Sequence, residues 1–298
     1  MKMNICFISD RKFLHYAKTM VNSLLQNNAS HEICLFLVSD DVTQEEADTA
    51  FAPLLTEKAT LTLIRVTKED IGFIETNLRF GHYIFYRLFF YKFFPKDIPV
   101  ILSLDVDIII KGDISSIYET KLEEYAFAAC LDMKSTCGSI FSIQQLERYG
   151  IDPNQNYYNL GVMLLNLEKM RQEDKGELML KTVMEDTSFE WPEQDLFNIF
   201  YKDEIFTLPR RYNHAPFRSF PGNEIGVEPV ILHYLGTRKP DCYKYDGEYV
   251  RLYWKYVVDR PGKLRMAAYW IKRAVYLGCC PLWRIPINFF YSFKMNLK

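Results

Sequence analysis

Long apolar runs are missing from this chain of 298 residues. No uninterrupted hydrophobic span approaches the ~20 residues that a membrane-crossing helix requires. The first apolar stretch, Ile5 to Ile8, is too short for a signal peptide. Cysteine is scarce and unpatterned. There are seven, an odd number, with Cys279-Cys280 adjacent and no Cys-x-x-Cys pair. That removes the usual zinc spacing and argues against a disulfide framework, leaving free thiols in a reducing compartment as the expectation. A net charge of -2 gives no electrostatic footprint for nucleic acid. Internal repeats and low-complexity tracts are absent as well. What these absences leave is a cytoplasmic globular protein, long enough for one large domain with an appendage.

What is present is a core-forming composition, 49% hydrophobic and 25% charged, with aromatics unusually frequent at 15%. Asn4 to Ile8 reads as a first strand ending in the polar cluster Ser9-Asp10-Arg11-Lys12. Phe13 to Gln26 has helical spacing, with Leu14, Ala17, Val21, Leu24 and Leu25 on one face. Glu32 to Val38 is a second buried strand. Thr43 to Leu55 is a helix capped by Thr43, with Glu45 and Glu46 in its first turn. Thr60 to Val66 is a third strand. Repeated β-α-β order implies an α/β fold with a parallel sheet and helices on both faces. Tyr83 to Phe94 follows as an aromatic-rich helix closed by Pro95. Strands are expected at Tyr125 to Leu131, ending at Asp132, and within Asn159 to Leu167. Residues 168–186 read as helix, and Leu208 to Arg238 as loop-rich.

Between these lies Val100-Ile101-Leu102-Ser103-Leu104-Asp105-Val106-Asp107-Ile108-Ile109-Ile110. Its apolar flanks read as a buried strand. A carboxylate there is costly unless its charge is compensated. Two carboxylates at i and i+2 on an extended chain point to the same side. At a strand end they can converge on one divalent cation through hard oxygen ligands. The plainer alternative is two solvated aspartates in a turn, or one capping aspartate.

Six motifs occur in one order: Tyr86-Arg87-Leu88, Leu104 to Asp107, Ala129-Cys130-Leu131-Asp132, Tyr158 to Leu167, Pro192 to Asn198, and Ile231-Leu232-His233-Tyr234-Leu235-Gly236-Thr237-Arg238-Lys239-Pro240. With the first strand ending at Asp10, this series closely resembles glycosyltransferase family 8, the retaining sugar-nucleotide transferases, and in particular its bacterial lipooligosaccharide galactosyl- and glucosyltransferases. The resemblance covers about residues 3 to 256. It implies a GT-A, Rossmann-like mixed sheet flanked by helices over 1–258. It also implies transfer of galactose or glucose from UDP-galactose or UDP-glucose to a glycan or lipid-linked glycan, such as lipopolysaccharide.

By the same resemblance, Asp105, Asp107 and His233 bind Mn2+ or Mg2+; alone, His233 reads as an ordinary core or surface histidine. Imidazole in such a set favours manganese. Gly236 and Lys239 are placed at the diphosphate, since glycine permits close backbone approach and an ammonium supplies a point charge. Ile8, Ser9 and Asp10 are implied at the uridine and ribose, with a helix cap as the alternative for Asp10. Arg87, Leu104 and Val106 join the donor-binding set; a surface ion pair is the alternative for Arg87. Asn159 and Gln194 are implied at the sugar hydroxyls, with Asp132 and Glu193 beside the sugar, although Asn159 could merely shape its turn. Asp195 is open between structural and sugar-binding roles. Three positions depart from the family pattern: Lys12, Ser103 and Glu193.

The segment 259–298 carries eight Lys/Arg and one acid, net +7, against -9 for the remainder. Tyr269, Trp270, Tyr276, Trp283, Phe289, Phe290, Tyr291 and Phe293 lie among its basic residues. Met266 to Leu277 reads as a helix with Met266, Ala267, Trp270, Ala274 and Leu277 on one side and Lys272 and Arg273 on another. Such a tail suits an anionic membrane and implies peripheral attachment at the inner face of the cytoplasmic membrane. A helix packed on the domain is the alternative. Competing functions are a metal-dependent nucleotide-sugar hydrolase and a non-catalytic sugar-nucleotide or membrane-surface binding protein.

Overall fold

A computed structural model of the protein describes residues 1–73, 81–215, 228–236, 239–245 and 247–278. Thr237, Arg238, Cys279, Cys280 and the aromatic residues from Trp283 onward therefore lie outside the described residues. The N-terminal half follows the expected β-α-β pattern: β1 (Lys2–Ile8), α1 (Leu14–Asn27), β2 (Glu32–Ser39), α2 (Gln44–Phe51) and β3 (Ala59–Arg65). Thr43 caps α2 through a reciprocal box with Glu46, which accepts from the Thr43 backbone N–H. The aromatic segment expected to be an α-helix is mostly tighter. A 3₁₀ stretch spans His82–Phe89, and only α3 (Phe90–Phe93) is α-helical.

Next come β4 (Val100–Leu104), β5 (Ile108–Ile110), β6 (Phe127–Thr136), α4 (Ile143–Tyr149) and β7 (Asn156–Asn166). Strand β6 runs past Asp132, where the sequence reading ended it. The single helix expected over 168–186 is two, α5 (Leu167–Glu173) and α6 (Gly176–Glu185), because Asp174 adopts a left-handed φ of 45° between them. The rest comprises α7 (Pro192–Phe200), β8 (Ile205–Thr207), β9 (Ile231–His233), α8 (Gly247–Tyr256) and α9 (Lys263–Gly278).

Seven strands form one sheet in the order β3-β2-β1-β4-β7-β6-β8. The sheet is parallel from β3 to β4, as β-α-β order demands. It then reverses: β7 is antiparallel to both β4 and β6, and β8 returns parallel to β6. The result is the mixed sheet. Large apolar clusters fill both faces. Phe85, Phe90, Phe127 and Phe197 belong to one cluster, and Phe7, Phe51, Leu102 and Val162 to the other. Burying each such side chain contributes roughly 1.5–3 kcal/mol. A third cluster, rich in tyrosine, joins Tyr16 on α1 to Ile109, Leu232, Tyr234 and the α8 residues Tyr249 and Tyr253. It carries the small ladder of β5 with β9.

Helix α9 docks through Met266, Tyr269, Arg273 and Tyr276, which are its buried or half-buried described positions. The Arg273 guanidinium donates to the carbonyls of Tyr243 and Tyr245 at 2.6 and 2.7 Å. This corrects the sequence reading, which set Arg273 with Lys272 on a charged side opposite Met266. Two buried main-chain carbonyls need donors, and a long guanidinium reaches both. No helix among the described residues is long and apolar enough to cross a membrane.

Candidate active site

The site lies where the sheet reverses, at the carboxyl end of β4, a usual ligand position in α/β sheets. The Asp-x-Asp motif is not one continuous strand. Strand β4 stops at Leu104, Asp105 to Asp107 make a turn, and β5 begins at Ile108. The turn is pinned on both sides. Asp105 N–H donates to the Gly161 carbonyl at 2.9 Å, and Tyr234 N–H to the Asp107 carbonyl at 3.0 Å. The β5–β9 register sets Ile108 opposite His233. His233 Nε2 then lies 3.5 Å from Asp105 Oδ2 and 3.3 Å from Asp107 Oδ1.

Asp105, Asp107 and His233 each offer a ligand atom, all within 4.8 Å of one another. Burial alone would raise the Asp107 carboxyl, but His233 and Lys239 outweigh it and hold the group down at about 2. Burial alone would lower His233, yet its hydrogen bond to Asp107 and the charges of both aspartates keep the imidazole above its ordinary value. A divalent cation fits this donor set: two hard carboxylates and one imidazole whose proton it could replace.

Arg87 is not on the surface. It is 5% exposed, 2.8 Å from Asp105 Oδ1 and 3.0 Å from Glu193 Oε1, and it also donates to the Leu160 carbonyl. One guanidinium thus serves two carboxylates. Arg87 Nε is buried and makes no hydrogen bond in this arrangement. Burial pushes the Glu193 carboxyl up; Arg87 pulls it down, Asp105 pushes it up, and the net is about 7. The folded state then holds this proton more tightly than the unfolded chain. Its stabilising contribution is complete below the ordinary value of 4.5 and is lost as pH rises through about 7. In metal-free protein, wild type should therefore lose about 2–4 kcal/mol relative to Glu193→Gln between pH 4.5 and 8. Urea denaturation of both proteins at the two pH values measures this, and parallel stability curves would refute it.

Beside the acidic group lies an amide network. Asn159 Nδ2 donates to Asp132 Oδ2 at 3.0 Å and to Gln194 Oε1 at 3.2 Å, and Gln194 Nε2 donates to the same Asp132 oxygen at 3.3 Å. Asn159 also shapes its own strand, since its Oδ1 accepts from Gly161 N–H at 3.0 Å. Both readings of Asn159 are realised. Asp195 accepts from Tyr157 Oη, which holds α7 to β7, and from Trp191 N–H, which closes the first turn of α7.

On the other side, Asp10 Oδ1 accepts from Phe13 N–H at 2.7 Å, a bond within the turn that leads into α1, whose N-cap is Phe13 and carries no side-chain cap bond. Ser9 is buried just beyond β1, and Ile8 is partly buried against the core. Leu104 is fully buried, which directs its side chain into the core and leaves only its main chain for a donor. Val106 also packs against the core. Gly236 has φ 85°, a left-handed conformation that favours glycine. Lys239 Nζ is 2.9 Å from Asp107 Oδ2 and 5.4 Å from the centre of the Phe13 ring. One site residue went unread in the sequence. Asn213, in the unpatterned run Arg210-Arg211-Tyr212-Asn213-His214, accepts at Oδ1 from His233 Nδ1 at 2.9 Å. Only the pairing of this run with β9 reveals it.

The chain has relatives of known kind. Lipopolysaccharide 1,2-glucosyltransferase of Escherichia coli strain K12 is 23% identical over 254 residues, covering 80% of this chain and 72% of that protein. Lipopolysaccharide 1,3-galactosyltransferase of Salmonella typhimurium is 23% identical over 248 residues, covering 80% and 73%. The crystal structure of galactosyltransferase LgtC in complex with donor and acceptor sugar analogs shares the fold, with TM-score 0.73 at 20% identity over 89% of this chain and 99% of that one. Residues 4–241 match the model of glycosyl transferase family 8, and the chain belongs to that family.

Proposed function

We propose that the protein is a retaining hexosyltransferase that moves galactose or glucose from a UDP-sugar to a glycan acceptor such as lipopolysaccharide. The observation that carries this reading is the convergence of Asp105, Asp107 and His233 beside the network of Asp132, Asn159 and Gln194. One group suits a diphosphate with its cation, the other a polyhydroxylated sugar. Mn2+ or Mg2+ would be held by the two aspartates and the histidine, and when bound it supplies Lewis-acid neutralisation of the departing diphosphate. Lys239 and the Gly236 main chain add positive potential and close approach at the same group. Asp132, Asn159 and Gln194 orient the hexose through its hydroxyls. Ile8, Ser9 and Asp10 receive the uridine. Both relatives above are lipopolysaccharide glycosyltransferases, which supports a lipid-borne acceptor.

The test is a donor panel. UDP-galactose, UDP-glucose and their N-acetylated analogues are incubated with Mn2+ and a detergent-solubilised lipopolysaccharide core, and UDP and sugar products are followed. Acceptor-dependent transfer of one hexose is expected. Free hexose formed at the same rate without acceptor would replace this reading with a hydrolase, and UDP binding without turnover would make the chain a binding protein.

Peripheral attachment to an anionic membrane completes the reading, and α9 supports it. Opposite its docked face, Leu264, Ile271 and Val275 are 88%, 62% and 57% exposed. Their spacing puts them on one stripe, which Lys263, Arg265 and Lys272 flank. Ile271→Glu with Val275→Glu should markedly weaken sedimentation with phosphatidylglycerol vesicles and leave the melting temperature within a degree or two, since both residues are exposed. Raising salt should weaken wild-type binding only in part, because the apolar share is not screened. Vesicle binding unchanged in the double variant would remove α9 from the membrane contact.

A further inference from the structure

Asn213 stands between the two halves of the site. It is 8% exposed, its Oδ1 faces His233 Nδ1 at 2.9 Å, and its Nδ2 donates to Asn159 Oδ1 at 2.7 Å. The direction of each bond follows from a single main-chain group. Gly161 N–H can only donate, so the Asn159 oxygen it meets at 3.0 Å must accept. Asn213 must then offer its NH2 to that same oxygen, which turns its own oxygen toward His233. His233 can bond that oxygen only by carrying hydrogen on Nδ1, which leaves Nε2 to face Asp105 and Asp107. The same orientation sends Asn159 Nδ2 toward Asp132 and Gln194. Gln194 is fixed likewise, since Leu160 N–H donates to its Oε1 at 3.2 Å.

We propose that Asn213 is a positioning residue that locks the His233 ring in its Nδ1–H form and ties the metal-ligand side of the site to the sugar side through Asn159. The assignment rests on the transferase reading above and adds to it a residue that acts through His233 and Asn159. Asn213 itself is held by its N–H bond to the Arg210 carbonyl and by the bridge that pairs His214 with Leu232. Groups of this kind, bonded to the far nitrogen of a histidine ligand, typically alter metal affinity about 10–100-fold when removed.

Two substitutions separate the two bonds. Asn213→Asp keeps an acceptor for His233 Nδ1–H and loses the donor to Asn159. Asn213→Leu loses both. Mn2+ affinity is read by electron paramagnetic resonance of free Mn2+ in the presence of UDP, and sugar engagement by the ratio of UDP-hexose to UDP affinity in calorimetry. We expect Asn213→Leu to weaken Mn2+ about 10–100-fold. Asn213→Asp should retain Mn2+ affinity within a few-fold and still lose the extra affinity for UDP-hexose over UDP. Equal losses of both quantities in the two variants would mean a general packing role and overturn the proposal, as would wild-type values in Asn213→Leu. Wild-type protein that binds no Mn2+ with UDP would overturn the metal reading itself, an outcome distinct from variants that match a metal-binding wild type.

Discussion

Asp107→Asn should cut sugar transfer by on the order of a thousandfold or more. The substitution is nearly isosteric and removes one of two carboxylates that share a buried imidazole, the one that also pairs with the Lys239 ammonium. With only one formal negative charge left, the donor set holds a divalent cation weakly. The lost stabilisation of charge on the departing diphosphate is several kcal/mol, and each 1.4 kcal/mol is tenfold in rate. The fold should survive, because Asp107 occupies a turn between strands and its main-chain bond from Tyr234 is untouched. UDP binding should lose its dependence on Mn2+ in calorimetry, alongside the loss of turnover. Near wild-type turnover across a Mn2+ titration would exclude Asp107 as a metal ligand.

The second large effect is expected at a residue with no side chain. A Cβ at Gly161 would sit 2.1 Å from His233 Cε1 and 2.4 Å from its Nδ1. Neither partner can give way. His233 is held by Asn213 and the two aspartates, and Gly161 lies in β7, an interior strand between β4 and β6. Gly161→Ala should therefore cost about 1–3 kcal/mol of stability by overpacking. Displacing a ligand by an ångström should also lower activity by about a hundredfold. Denaturant midpoints and Mn2+ affinity measure the two parts. An alanine variant with wild-type values for both would show that the ring and the strand are not in the contact described.

How far the sequence carries is visible in these same residues. The β-α-β half was legible because its elements are periodic and locally capped, Thr43 with Glu46 being the clearest signal. The convergence of Asp105, Asp107 and His233 was legible through two aspartates in an apolar run and the ordered motifs around them. The reversal of β7 was legible only through the resemblance, which implied a mixed sheet, since strand direction leaves no mark on an apolar segment such as Val162 to Leu165. Gly161 read as one more strand glycine; its role exists only once His233 arrives from the other end of the chain. Asn213 lies in a segment with no pattern, and its function is set entirely by partners remote in sequence. Arg273 was misread because a buried arginine that serves carbonyls looks, in sequence, like a solvated one. Glu193 was singled out as a departure from the family, but its raised carboxyl depends on burial and on sharing Arg87 with Asp105.

The ladder of β5 with β9 has a consequence for how the protein is made. Asp105 and Asp107 leave the ribosome long before His233, and the three meet only when a three-residue strand from late in the chain finds its partner. Such a late, non-local pairing is slow to form compared with the β-α-β half. Its register is also unforgiving, since a slip by one residue would turn His233 to the opposite face. A nascent or partly folded chain therefore has no three-ligand cation site. A cation held by these three residues, as proposed above, would add its stability to the native state alone, so its uptake should serve as a clock for the last step of maturation.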